Sequence, residues 1–137
     1  AWFDRIDASG GAIFFAAGVF YYFLREQVRA LVQRMAAAFP GGVLVFDAAN
    51  EKAVRLMLKT WIRDAKIKDV GAYFAVADAK AELGPWDSRL QISSRGYMLG
   101  YHDLKDPSVS GFFRFLARVG DRSMNMQIVR IGFGGEI

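Results

Sequence analysis

The sequence predicts an α/β fold, a doubly wound sheet built on parallel strands, and three observations carry that prediction. An apolar run, Ala12-Ile13-Phe14-Phe15-Ala16-Ala17, is bounded by Gly11 and Gly18, as suits a strand buried on both faces. The period then changes: Val28, Leu31, Val32, Met35, Ala36 and Phe39 recur at steps of three and four, on one face of a helix. A second apolar run, Val43-Leu44-Val45-Phe46, follows and ends in Asp47. Strand, helix and strand within about 35 residues make a βαβ unit, with parallel strands and a right-handed crossover.

The remaining elements follow from local signals. Trp2, Phe3 and Ile6 have helical spacing, which predicts the end of a helix before a turn at Ser9-Gly10-Gly11. Val19 to Phe23 leads into the first long helix near Leu24, with Glu26 favourably placed in its first turn. Pro40-Gly41-Gly42 stops that helix. Asn50 is a good N-cap for the next one, whose buried stripe is Val54, Met57, Leu58, Trp61, Ile62 and Ala65. Residues 69–82 are ambiguous, although Asp78 to Leu83 looks helical and Gly84-Pro85 ends it. Leu90 to Ser93 reads as a third strand and Gly96 to Tyr101 as a loop or short helical turn. Asp106 or Ser108, with Pro107, opens a last helix carrying Phe112, Phe113, Phe115, Leu116 and Val119. Gly120 to Ser123 is expected to turn the chain into a final strand, Met126 to Phe133.

In open parallel sheets, ligands bind beyond the carboxyl ends of the strands. Here those ends are Ala16-Ala17-Gly18 and Asp47-Ala48-Ala49-Asn50, where small side chains let a ligand approach the backbone. Asp47 is either an acceptor there or a cap for the next helix. The pattern alone goes no further, because this fold hosts many chemistries.

Four motifs in order say more: FFAAGVFYYF at 14–23, FPGGVLVFDA at 39–48, SRGYMLGY at 94–101 and MQIVRIGF at 126–133. Together they resemble the S-adenosylmethionine-dependent O-methyltransferases of the leucine carboxyl and tetracenomycin polyketide branches, the polyketide branch more closely. The resemblance runs from Ile13 to Phe133 but corresponds only to the C-terminal half of such an enzyme. A length of 137 residues suggests one domain, and the resemblance implies that it is the C-terminal part of a class I methyltransferase Rossmann-like sheet. Its strands would be the fourth to seventh, with helices on both faces. The last strand would be antiparallel and inserted between the second and third strands of this chain.

The same resemblance implies a function, methyl transfer from S-adenosylmethionine to a carboxylate or phenol oxygen of a small, polyketide-like acceptor. It places Ala16, Ala17 and Gly18 beside the methionyl part of the cofactor. Phe20, Tyr21 and Tyr22 become candidates for the acceptor pocket, against the plainer reading of aromatics as core. Tyr21, Tyr22 and His102 are the candidate catalytic groups; a lone histidine such as His102 is more often a structural or exposed residue than a catalytic base. Carboxyl methyltransferases carry a glutamate before the glycine where this chain has Ala17, a departure that weakens the leucine-carboxyl specificity. The glycine-rich loop and acidic ribose residue of the family's N-terminal half have no counterpart in this sequence. Gly132-Phe133-Gly134-Gly135 follows a terminal strand and opens no helix, so it fails the context test for such a loop. A carboxylate acceptor (pKa about 4) is ionised and needs no base, whereas a phenol (pKa about 10) benefits from one. The residues leave that choice open. The alternative is a non-enzymatic α/β interaction or regulatory module.

Composition bounds the remaining possibilities. The hydrophobic fraction of 53% is high for a small domain, and is expected if part of the surface faces another half. The longest apolar stretch, Ala12 to Leu24, falls short of the about 18–20 residues of a membrane span, so no membrane partner is expected. There is no cysteine, hence no disulfide framework and no thiolate metal site, and no histidine cluster for a metal. A cytoplasmic location is the default. The net charge of +4 is spread over helix faces with Glu26, Glu51, Asp64 and Asp69 interspersed, unlike a nucleic-acid surface. The chain opens at Ala1 without methionine, as expected of a processed product or a piece of a longer polypeptide. Left without a neighbour, the apolar strand at 13–17 would expose an edge with no charge, proline or bulge, and self-association there, most simply as a dimer, is expected.

Overall fold

The strand nearest the N-terminus has only one neighbour. A computed structural model describes residues 2–61, 73–96, 110–123 and 125–134. In them, β1 (Ile13–Ala16), β2 (Val43–Ala48), β3 (Leu90–Gly96) and β4 (Gln127–Phe133) form one sheet in the order β1-β2-β4-β3. β1 and β2 are parallel, and β4 runs antiparallel to both β2 and β3. The architecture is therefore α/β with a mixed sheet, and the last strand is inserted where the sequence reading put it.

Register decides what each face carries. Phe14, Leu44, Ile131 and Ile92 stand opposite one another across the four strands, as do Ala16, Phe46, Val129 and Ser94. Neighbours in register share a face. On that face α1 (Arg25–Ala38) buries Val28, Val32, Met35 and Ala36, and Phe74, Val76, Leu83 and Trp86 complete the core. The other face begins with Ile13 and Phe15, which are 66% and 75% exposed. The expectation of a first strand buried on both faces is thus corrected. Among the described residues β1 pairs on one side only and nothing covers its second face.

The first helix forms as its period predicts. Gln27 Oε1 accepts the Leu24 backbone N–H at 2.8 Å, satisfying a donor at the helix start. At the other end Gly41 takes φ +81°, a left-handed conformation that suits glycine. Gly42 then fits where a Cβ would meet the Phe39 and Ala12 carbonyl oxygens at 3.0 and 3.2 Å. Arg25 ties the helix to the segment at 73–86, donating to the Ala75 carbonyl at 2.9 Å and pairing with Glu82 at 3.3 Å.

Asn50 does cap α2 (Glu51–Trp61): its Oδ1 accepts the Ala53 N–H at 2.9 Å. Val54 is buried and Met57 half-buried as expected, and they join Tyr21, Ala49, Ala53 and Met126 in a small second cluster. The side chains of Leu58 and Trp61, and all of Ile62 and Ala65, lie outside the described residues. Asp78 caps α3 (Ala79–Leu83), accepting the Ala81 N–H at 3.1 Å, and a single 3-10 turn at Gly84–Trp86 follows. Arg89 then forks onto Asp87, Nε to Oδ1 at 2.9 Å and Nη2 to Oδ2 at 2.7 Å.

Two boundaries differ from expectation. The N-terminal helix end is one 3-10 turn, Trp2–Arg5. The last helix, α4 (Gly111–Ser123), includes residues 120–123, which sequence assigned to a turn. Gly120 costs a helix only about 1 kcal/mol and no proline follows it, so the helix continues. Ser110 caps it, its Oγ accepting the Phe113 N–H at 3.1 Å. Asp106, Pro107 and Ser108 lie outside the described residues. Phe112, Phe113, Phe115, Leu116 and Val119 are all exposed on α4 rather than packed.

Candidate functional site

The carboxyl ends of β1 and β2 are tied together by one carboxylate. After β1 the chain turns through Gly18, whose φ of +66° takes the left-handed region. That turn aims the Gly18 N–H at Asp47 Oδ1, 2.7 Å away. The 3-10 turn at Phe20–Tyr22 then brings the Tyr21 hydroxyl to the other oxygen, which it donates to at 2.8 Å. Asp47 is the fifth residue of β2, directly beside Ile128 of β4. The sequence offered Asp47 as an acceptor or a helix cap; it is an acceptor, and Asn50 does the capping.

In front of this knot lies a cleft of about 670 Å³. Its walls are Phe15, Ala16, Ala17 and Gly18 from the end of β1, Val45, Phe46 and Asp47 from β2, and Ile128 from β4. The volume lies in the range of small-molecule sites, and the mix of apolar wall and one polar group matches their usual make-up. Among the described residues, a Cβ added to Gly18 would meet nothing within 4 Å, so none of them fills the space before that backbone.

The candidate residues fall into three groups. Ala16, Ala17 and Gly18 line the cleft together. Phe20 and Tyr21 are buried at 4% and 3% exposure. Phe20 stacks in the core with Phe46 and Phe74 and borders a different groove beside Val28 and Leu31. Tyr21 reaches the site through Asp47, while Tyr22 is exposed. His102 lies outside the described residues.

Other features are structural. Gly41 N–H donates to the Phe133 carbonyl at 2.6 Å, Phe133 N–H to Gly42 at 2.8 Å and Gly134 N–H to Arg89 at 2.8 Å. The Gly132–Gly134 stretch thus closes the amino-end side of β2, away from the cleft. A smaller polar cleft of about 280 Å³ lies near Asp78, Ser94, Arg95 and Gln127. Gln127, nearly fully buried, donates there to the Val76 carbonyl at 3.2 Å. Asp87 is held well down, to about 2, first by the side-chain hydrogen bonds of Arg89. Among the described residues no three His, Cys, Asp or Glu side chains gather as a metal site, and no helix is long and apolar enough to cross a membrane.

A scan against protein-family models finds no family that matches this chain, and a search of the curated proteins finds no match either.

Proposed function

We propose that this chain forms the second half of the catalytic sheet of an S-adenosylmethionine-dependent O-methyltransferase acting on a small, polyketide-like molecule. The observation that carries the reading is the cleft at the joined carboxyl ends of two parallel strands, walled by Ala16, Ala17 and Gly18. The order β1-β2-β4-β3, with its antiparallel insertion, supports it.

The residues present fit the methionyl end of that cofactor. Two alanines and a glycine at positive φ leave backbone accessible, and no described residue fills the space before Gly18. When bound, the cofactor supplies a methyl group on a sulfonium, which is already a good leaving group. The chain's own work is then to position and to exclude water. Phe15, Val45 and Ile128 provide apolar wall, and Asp47 fixes the Gly18 turn. Tyr21 gives its hydrogen to Asp47 and so orients that carboxylate.

Calorimetry with S-adenosylmethionine, on the longest natural polypeptide containing these residues, tests the reading. Saturable binding is expected, and its absence would refute it. A second reading, an interaction module without chemistry, draws on the exposed apolar residues of α4; it expects no cofactor binding at any chain length.

A further inference from the structure

We infer that Asp47 and Arg95 together hold the α-amino acid head of a ligand in the cleft, Asp47 taking its ammonium and Arg95 its carboxylate. The inference deepens the methyltransferase reading and rests on it for the bearer of that head, the methionyl end of the cofactor. The pairing of acid and base rests on the sheet itself.

Because β4 runs antiparallel to both β2 and β3, the strands β1, β2 and β3 all finish at the same end of the sheet. Register there sets Asp47 on one side of Ile128 and Arg95 on the other, with all three on one face. Asp47 and Ile128 line the cleft together with Ala16, Ala17 and Gly18. Arg95 stands at the rim beyond Ile128, two strand spacings from Asp47, or about 10 Å of backbone separation. It is exposed there.

A zwitterionic head fits that pair. An amino acid carries ammonium and carboxylate on one carbon, so its site needs an acid and a base that can converge. Asp47 is short, and the Gly18 and Tyr21 donors fix it at 2.7 and 2.8 Å. A carboxylate offers about four lone-pair positions, so two remain for an ammonium, and the resulting charge-assisted bonds are strong ones. Arg95 brings a long stem that can carry its guanidinium over Ile128. It already has an interaction within the molecule, and five N–H donors in a planar fork let it hold a ligand carboxylate as well. Arg130 shares the face, opposite Val45, but its Nη1 lies 3.5 Å from where a Cβ on Gly132 would be, toward the amino end of β2. With the head between Asp47 and Arg95, the rest of the ligand meets the apolar wall of Phe15, Ala16, Ala17 and Val45.

The test is a probe series on the ¹⁵N-labelled 137-residue chain, followed through the Gly18 amide, whose N–H points at Asp47, and the Arg95 Nε–H. The probes are S-methyl-L-methionine, which has the amino acid head and a sulfonium, its carboxamide, which lacks the carboxylate, and its N-acetyl derivative, which lacks the ammonium. Saturable shifts at both reporters are expected with the first probe, and about tenfold weaker binding of the other two. Arg95→Met should weaken S-methyl-L-methionine and leave the carboxamide unchanged. Asp47→Asn should weaken both of these and not the N-acetyl derivative. A purely structural role of either side chain would lower all three alike. Equal affinity of either derivative and the parent probe overturns the inference, as does an Arg95→Met loss shared by the carboxamide, or no saturable shift. If Asp47→Asn does not fold, the wild-type series and Arg95→Met decide. The expected pattern without S-adenosylmethionine binding in the longer polypeptide keeps an amino acid site and removes the methyltransferase reading. Cofactor binding there without the pattern removes the Asp47–Arg95 assignment and keeps that reading.

Discussion

The hydroxyl of Tyr21 donates to the carboxylate of Asp47 at 2.8 Å, joining residues 26 positions apart. The other Asp47 oxygen holds the Gly18 N–H, so one side chain fixes both strand ends that border the cleft. Tyr21→Phe keeps the buried ring and removes the hydroxyl that donates to Asp47. Loss of this hydrogen bond should cost about 1 kcal/mol or somewhat more in urea unfolding. The variant should also shift the Gly18 amide resonance, because the carboxylate loses one of its two restraints. An unchanged unfolding midpoint and an unmoved Gly18 resonance would show that the contact carries no weight.

Self-association through β1 is the second expectation. Ile13-Phe14-Phe15-Ala16 forms an edge without charge or proline, whereas the opposite edge, β3, carries Ser93, Ser94 and Arg95. Strands left unguarded in this way recruit other strands. In a two-fold antiparallel pairing, residues that share a face meet, and centring the pair on Phe14 would set Ile13 opposite the partner's Phe15. Light scattering should show a dimer at micromolar concentration, and Phe15→Lys, a change at a side chain already 75% exposed, should yield monomer. A wild-type monomer under those conditions contradicts the open edge.

Acid stability has a defined sign at one pair. The Arg89 hydrogen bonds lower Asp87 from 3.8 to about 2. Its stabilising contribution is therefore complete above the unfolded value and is lost as pH falls through 3.8 toward 2. The Arg89 side chain is 43% exposed and that of Asp87 16%, so solvent screens the pair from one side and the loss should be small. Urea unfolding at pH 5 and pH 2.5 should show a smaller acid-induced loss in Asp87→Asn than in wild type. An equal loss would mean that the fork does not persist in solution.

How much of this could be read from sequence depended on the range of the interaction. The βαβ unit was legible because Val28, Val32, Met35 and Ala36 keep a helical period between two apolar runs, and Asn50 was legible as a cap because capping is local. The inserted last strand came from the family resemblance, since nothing in local pattern places β4 between β2 and β3. The open face of β1 was hidden, because an apolar run looks the same with one covered side or two. Phe20 and Tyr22 are pocket candidates through the family resemblance, and local pattern does not show that a single 3-10 turn buries Phe20 in the core and leaves Tyr22 exposed. Asp47 stood in plain view at a strand end, but its partners lie 26 and 29 positions away. A lone aspartate gives no signal of which distant donors it will meet.

The most direct test of the central claim is a titration of the ¹⁵N-labelled chain with S-adenosylmethionine up to millimolar concentration. Half a site should bind weakly, well short of the micromolar range at about 8 kcal/mol, because the sequence has no glycine-rich loop for the adenosine end. The account predicts saturable shifts concentrated at Ala16, Ala17, Gly18 and Asp47. Shifts that map elsewhere, or none at all, would contradict it.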